Sequence, residues 1–266
     1  MEAPYRKVAL AIPTPISQKA MLDPAGDRFF GPRPAVLVLP GGGVRELPPH
    51  EGEGCARRLS GLGIHAFVPS CRLLPDRFPA PLEDARAGSD HIRNGDHGLD
   101  VGRAGVIGSG AGGQLAGLLM TGRVLSVEEG VADPPRPDFA IPAYAPAGLD
   151  LLPPSVVENL HGDLLPLEDE PSPAMHVDAS PCPAFAWATA QDPPGQPEAP
   201  ERTRAPAAAA VPVESHVSPG GGHGIGLAGG VEYGGEPHTC MAREPHTASW
   251  TAACAARLRR EDVLAD

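Results

Sequence analysis

The chain has 266 residues, 41% of them apolar and only 4% aromatic, with a formal net charge of −12. That length and apolar share allow one sizeable core, as in a single domain. The acidic balance argues against a nucleic-acid surface, because no basic run exceeds Arg57-Arg58 or Arg259-Arg260. No stretch of about 18 apolar residues is present, so no membrane span is expected. The N-terminal residues Met1 to Lys7 lead only into the short apolar run Val8 to Ile12, without the long apolar core of a signal peptide. The cysteines, Cys55, Cys71, Cys182, Cys240 and Cys254, form no C-x-x-C pair. They read as thiols of a reducing cytoplasm rather than as a zinc site or a disulfide framework, and no metal or cofactor is expected.

Short apolar runs recur along the chain with helical segments between them. Val8 to Ile12 reads as an edge strand, and Ala35 to Leu39 as a buried one. His50 to Leu62 places Cys55, Leu59 and Leu62 at helical spacing and stops at Gly63. His65 to Pro69 is the next strand, and Leu82 to Arg93 is a helix that follows Pro79 and Pro81. Ala104 to Ile107 is a strand running into the small, apolar helix Gly112 to Met120. Phe139 to Tyr144, Ala184 to Ala188 and Val213 to Val217 complete the strands. Ser249 to Leu258 closes the chain as an amphipathic helix, and Gln196 to Val211 reads as a helix broken near Pro206. The proline-rich, acidic segment 151–173 is expected to form a lid or a wall beside a site. Alternation of this kind predicts an α/β fold in one domain, a mostly parallel sheet with helices on both faces.

Three glycine-rich loops follow predicted strands, at the sheet edge where parallel α/β proteins bind ligands. In Leu39-Pro40-Gly41-Gly42-Gly43 the triplet lets backbone N–H groups approach a substrate closely, as an oxyanion requires; a plain tight turn explains it equally well. Gly108-Ser109-Gly110-Ala111-Gly112 has the strand-to-helix form of a nucleophile elbow, G-x-S-x-G, with Gly110 at the centre in place of serine. Shifting the frame by one makes Ser109 a substitute nucleophile, at the cost of placing Ile107 where the elbow needs glycine. Gly220-Gly221-Gly222-His223-Gly224 carries a histidine suited to act as general base, and Asp192 lies one strand earlier. The order nucleophile, acid, base is that of the hydrolases.

These motifs, with His50-Glu51-Gly52-Glu53, Phe78-Pro79-Ala80-Pro81-Leu82-Glu83-Asp84-Ala85 and Asp192-Pro193, resemble the bacterial esterase branch of the α/β-hydrolases, near acetyl-xylan esterases and feruloyl-esterase-like proteins. They stand in family order from about Ala35 to Gly224. The resemblance implies an α/β-hydrolase fold and a small-molecule ester substrate. It implies Asp192 and His223 as acid and base, the N–H groups of Gly42, Gly43 and Ala111 as oxyanion hole, and position 110 as nucleophile. Departures include Gly110 itself, Ser109 where bulkier residues are usual, Cys71-Arg72-Leu73 for Tyr-Arg-Leu, and Pro194-Gly195 after the acid. Cys71 is a weaker substitute nucleophile than Ser109, being on another strand end. His50, Glu51 and Glu53 read as capping residues, and Val44 as a pocket wall. Three functions follow: an ester hydrolase impaired by the loss of its nucleophile, a proton-transfer enzyme (elimination or cyclisation) using His223 and Asp192, or a binding protein keeping only the fold. Retention of both Asp192 and His223 favours the first two.

Overall fold

Most of the apolar runs become strands buried on both sides, as a parallel sheet covered by helices demands, whereas Val213–Ser218 lies half-exposed at the sheet edge. In the computed structural model, residues 31–121, 136–146, 154–161, 182–192, 212–229 and 244–265 are described. The strands are β1 (Arg33–Leu39), β2 (His65–Phe67), β3 (Val101–Ser109), β4 (Ala140–Ala143), β5 (Ala184–Thr189) and β6 (Val213–Ser218). They form one sheet in the order β2-β1-β3-β4-β5-β6, and every pairing is parallel. The helices are α1 (Glu53–Ser60), α2 (Ala80–Asn94), α3 (Ala111–Thr121), α4 (Pro154–His161), the short α5 (Pro245–Ala248) and α6 (Trp250–Arg260). The expected strand at 8–12, the broken helix at 196–211 and the rest of the 151–173 segment lie outside the described residues.

Alternate residues of one strand point to opposite faces, and the core divides accordingly. Val36 and Val38 of β1 pack with Ile107, Ile141, Phe185 and Trp187, under Cys55, Ala56 and Leu59 of α1 and Trp250, Cys254 and Leu258 of α6. Ala35, Leu37 and Leu39 face the other way, with Val106 and Ala140, under Leu82, Ala85 and Ile92 of α2 and Leu115, Ala116 and Leu119 of α3. On the first face Trp187 stacks on Trp250, with ring centroids 4.8 Å apart, and meets the edge of Tyr144 at 5.0 Å.

The sheet positions the site through its winding. From β1 the chain crosses to β2 on one side, and β3 then pairs with β1 on the other. The loops after β1 and β3 therefore leave adjacent strands in opposite directions, which opens a crevice at their carboxyl ends. Helix α1 starts at Glu53, three residues later than the spacing predicts. Pro48 and Pro49 come just before, and a turn in which Gly52 N–H bonds the Pro48 carbonyl occupies the expected first turn.

Candidate active site

The turn from β3 to α3 is built around glycines that no other residue can replace. A Cβ on Gly108 would lie 2.1 Å from the Gly112 carbonyl oxygen, and one on Gly112 would lie 2.1 Å from the Leu39 carbonyl oxygen. Both clashes are with backbone, so neither position tolerates a side chain. Those two glycines flank Gly110, which adopts φ +51°. The frame of the elbow is thereby fixed at 108, 110 and 112, with residue 110 at its apex. Gly110 accepts the first helical bond of α3 from Gln114 N–H and donates its own N–H to Ala143. Ala111, the first residue of α3, presents one of the N–H groups that a helix start leaves without an intrahelical partner.

Ser109 turns away from this apex. It is the last residue of β3, 2% exposed, in register with Ala143 and on the same side of the strand as Ile107. Its hydroxyl is hydrogen-bonded to the phenol of Tyr144. Cys71 lies just beyond β2. Burial first, and then the Asp84 carboxylate, push its thiol up to about 12, so the thiolate a nucleophile needs is suppressed. Asp84 meanwhile takes the backbone N–H of Arg72 at 2.6 Å and its guanidinium at 3.0 Å, which fixes the loop after β2.

Asp192 and His223 come together. Asp192 follows β5 and His223 follows β6, and neighbouring parallel strands bring both loops to the same edge. The imidazole Nδ1–H donates to Asp192 Oδ1 at 2.9 Å. The other ring nitrogen, Nε2, then carries the lone pair. It faces residue 110: an ideal Cβ built on Gly110 lies 2.9 Å from it.

The base loop is tied down at several points. Gly221 N–H donates to the side chain of Gln191, next to Asp192. Thr247 Oγ1 donates to the Gly220 carbonyl, and His50 Nε2 to the Gly224 carbonyl at 2.7 Å. Gly226 N–H donates to the Tyr144 hydroxyl, and the Tyr144 hydroxyl donates to Glu51 Oε1 at 2.6 Å. The second oxygen of Glu51 accepts Gly41 N–H at 2.7 Å. One buried carboxylate and one buried phenol thus join the β1 loop, the elbow and the base loop. The Tyr144 phenol is held well above its ordinary pKa by burial first and then by Glu51, so it remains a donor.

This corrects the capping role expected of Glu51 and His50. Helix α1 has Gly52 at its N-cap with no side-chain cap bond, and Glu53 pairs instead with Arg57. Tyr144 had drawn no functional reading at all. Its signal in the sequence is weak, a lone tyrosine ending an apolar run.

Beside the elbow lies an apolar pocket. Leu39, Val44, Leu47, Phe78 and Leu115 line it, together with Ala111 at the start of α3. Val44, the expected wall residue, packs against Val156 and Val157 of α4, and Arg45 bonds Asn159 of the same helix. Helix α4 therefore forms a wall over the β1 loop. Among the described residues there is no cluster of three potential metal ligands, and no helix is long and apolar enough to cross a membrane.

Solved structures share this architecture over most of their length. An acetyl ester-xyloside bifunctional hydrolase from Caldicellulosiruptor lactoaceticus superposes with a TM-score of 0.74 at 27% identity, covering 95% of this chain and 96% of that one. MGS-M1, an α/β-hydrolase from a Medee basin deep-sea metagenome, matches at 26% identity over 86% of this chain and 84% of that one, with a TM-score of 0.64. The chain has the α/β-hydrolase fold. Its structural neighbours include esterases, among them a carboxylesterase from Lactobacillus plantarum with a TM-score of 0.75 at 20% identity, covering 92% of each chain. No protein-family model and no curated protein matches the sequence of this chain.

Proposed function

We propose that this chain is a carboxylic ester hydrolase whose turnover is impaired because Gly110 stands at the nucleophile position. One observation carries the reading. A side chain at residue 110 would begin 2.9 Å from the Nε2 of a histidine already oriented by Asp192. A serine there would need the imidazole to move back by a few tenths of an ångström, and its hydroxyl would then lie within hydrogen-bond reach of Nε2, as a nucleophile lies to its base.

The remaining parts have roles in the same scheme. His223 is the base and Asp192 orients it. Gly41 N–H is engaged by Glu51, which leaves the N–H groups of Gly42 and Gly43, with that of Ala111, to hold an oxyanion. The apolar pocket against Ala111 suits a short acyl chain, in keeping with the acetyl ester named for the Caldicellulosiruptor hydrolase. Ser109 has no part in the chemistry, since its hydroxyl serves Tyr144.

The test is the Gly110→Ser variant on short-chain aryl esters. Losing a triad member typically costs at least about 10³-fold, so the serine variant should exceed the parent by that margin. A folded serine variant as inert as the parent would refute the reading. Equal turnover by the parent, abolished in Ser109→Ala, would transfer the nucleophile to Ser109.

A further inference from the structure

The place that a side chain on residue 110 would occupy faces one reactive atom and little else. Beyond residues 109–111 and the His223 ring, the nearest atom to an ideal Cβ there is the Gly41 Cα at 4.0 Å. With no side chain at residue 110, an oxygen can approach Nε2 from the side that such a side chain would block. The imidazole that faces it is held in one tautomer by Asp192 and cannot readily sink toward Gly110, because its loop is anchored through Gly220, Gly221, Gly224 and Gly226. Nε2 therefore presents a lone pair beside the apex of the elbow.

We infer that the site transfers an acyl group directly from an ester to a small external nucleophile, water or a primary alcohol such as methanol, bound against Nε2 on the side that a residue-110 side chain would block. The inference rests on the ester reading above. A hydroxyl oxygen of that nucleophile hydrogen-bonds to Nε2 at about 2.8 Å. As it attacks, its O–H bond breaks and the proton passes to Nε2. The new C–O bond forms, and the carbonyl π pair moves onto the oxygen held by the loop N–H groups. Collapse of the tetrahedral adduct breaks the ester C–O bond, and the departing alkoxide takes the proton back from Nε2–H. With water the products are acid and alcohol; with methanol they are a methyl ester and the original alcohol. No covalent acyl-enzyme forms. What is lost relative to a serine enzyme is the tethering of the nucleophile; what is kept is general-base catalysis, worth about 10²–10⁴-fold.

The experiment uses the full chain and 4-nitrophenyl acetate, with and without methanol. The parent should show no burst, no acetylated protein in intact-mass spectra, and methyl acetate production rising linearly with methanol concentration. His223→Ala should lower both the water and the methanol reactions by about 10²-fold. Gly110→Ala, checked for folding by thermal melting, should lower them as well, since its methyl group would sit 2.9 Å from Nε2 and block the nucleophile's approach. An acetylated protein, or a rate indifferent to His223→Ala, would overturn the inference. The Gly110→Ser variant separates the two readings. If it hydrolyses ester while the parent shows no His223-dependent rate, direct transfer fails and the ester reading stands. If it too is inert while folded, the ester reading itself fails.

Discussion

Two polar assemblies meet at this site, and they differ in almost every physical respect. Glu51 and Tyr144 are 3% and 1% exposed and join loops to one another. His223 is about one-third exposed at its side chain and, with Asp192, faces the open edge of the sheet. The inner pair holds geometry, and its removal strands buried donors with no water to replace the lost partner. The outer pair is arranged to move a proton, and solvent can reach its imidazole. The contrast teaches that the loop edge of the sheet is kept in shape by groups buried beneath it. It also explains how the apex of the elbow can lack a side chain while the rest of the site stays assembled.

Stability measurements on single variants probe this division. Glu51→Ala should have the largest effect. It leaves Gly41 N–H and the Tyr144 hydroxyl buried without their acceptor, a loss of about 3 kcal/mol by the usual cost of stranded donors, read as a lowered urea midpoint. A loss near zero would mean that water enters the network and that it is not the frame described here. Tyr144→Phe comes next, at about 1–2 kcal/mol, since Gly226 N–H and the Ser109 hydroxyl lose their partner while the ring packing is kept. Asp192→Asn should cost least, under about 1 kcal/mol, because a hydrogen bond to His223 Nδ1 is kept, donated now by the amide NH2 so that the ring proton moves to Nε2. In the Gly110→Ser background the same change should nevertheless cut ester turnover by about 10⁴-fold, through loss of the correct imidazole tautomer. An Asp192→Asn variant as unstable as Glu51→Ala would erase the distinction between the two assemblies.

The same division governs what could be read from the sequence. The strands were legible because a parallel sheet buries both faces, so β1, β3, β4 and β5 appear as short apolar runs. β1 and β3 start two and three residues before the apolar stretch because the ladder extends to Arg33 and Val101, while β4 is one residue shorter at each end than its apolar run. The elbow was legible because glycine is the residue of close approach, and Gly108 and Gly112 show that constraint directly. His223 and Asp192 were legible by their place after late strands. Glu51 and Tyr144 were not. A carboxylate just ahead of a helix looks like a cap, and a tyrosine at a strand end looks like core; only the partners at 41, 109 and 226 give them another meaning, and those partners are distant in the chain.

That distance has a kinetic side. The bond between Tyr144 and Glu51 closes a separation of 93 residues, that from Gly226 to Tyr144 one of 82, and that from His50 to Gly224 one of 174. Contacts so remote in sequence carry a large loop-closure cost and form after the local βα units have docked. The Glu51–Tyr144 network is therefore expected to form after the folding transition state, which a Glu51→Ala variant that unfolds faster but folds at the parent's rate would bear out. Stabilisation of that kind acts on the unfolding limb: weakening it speeds escape from the native state and leaves the rate of folding nearly unchanged. The buried frame of the site is, in this sense, a latch on the lifetime of the folded chain.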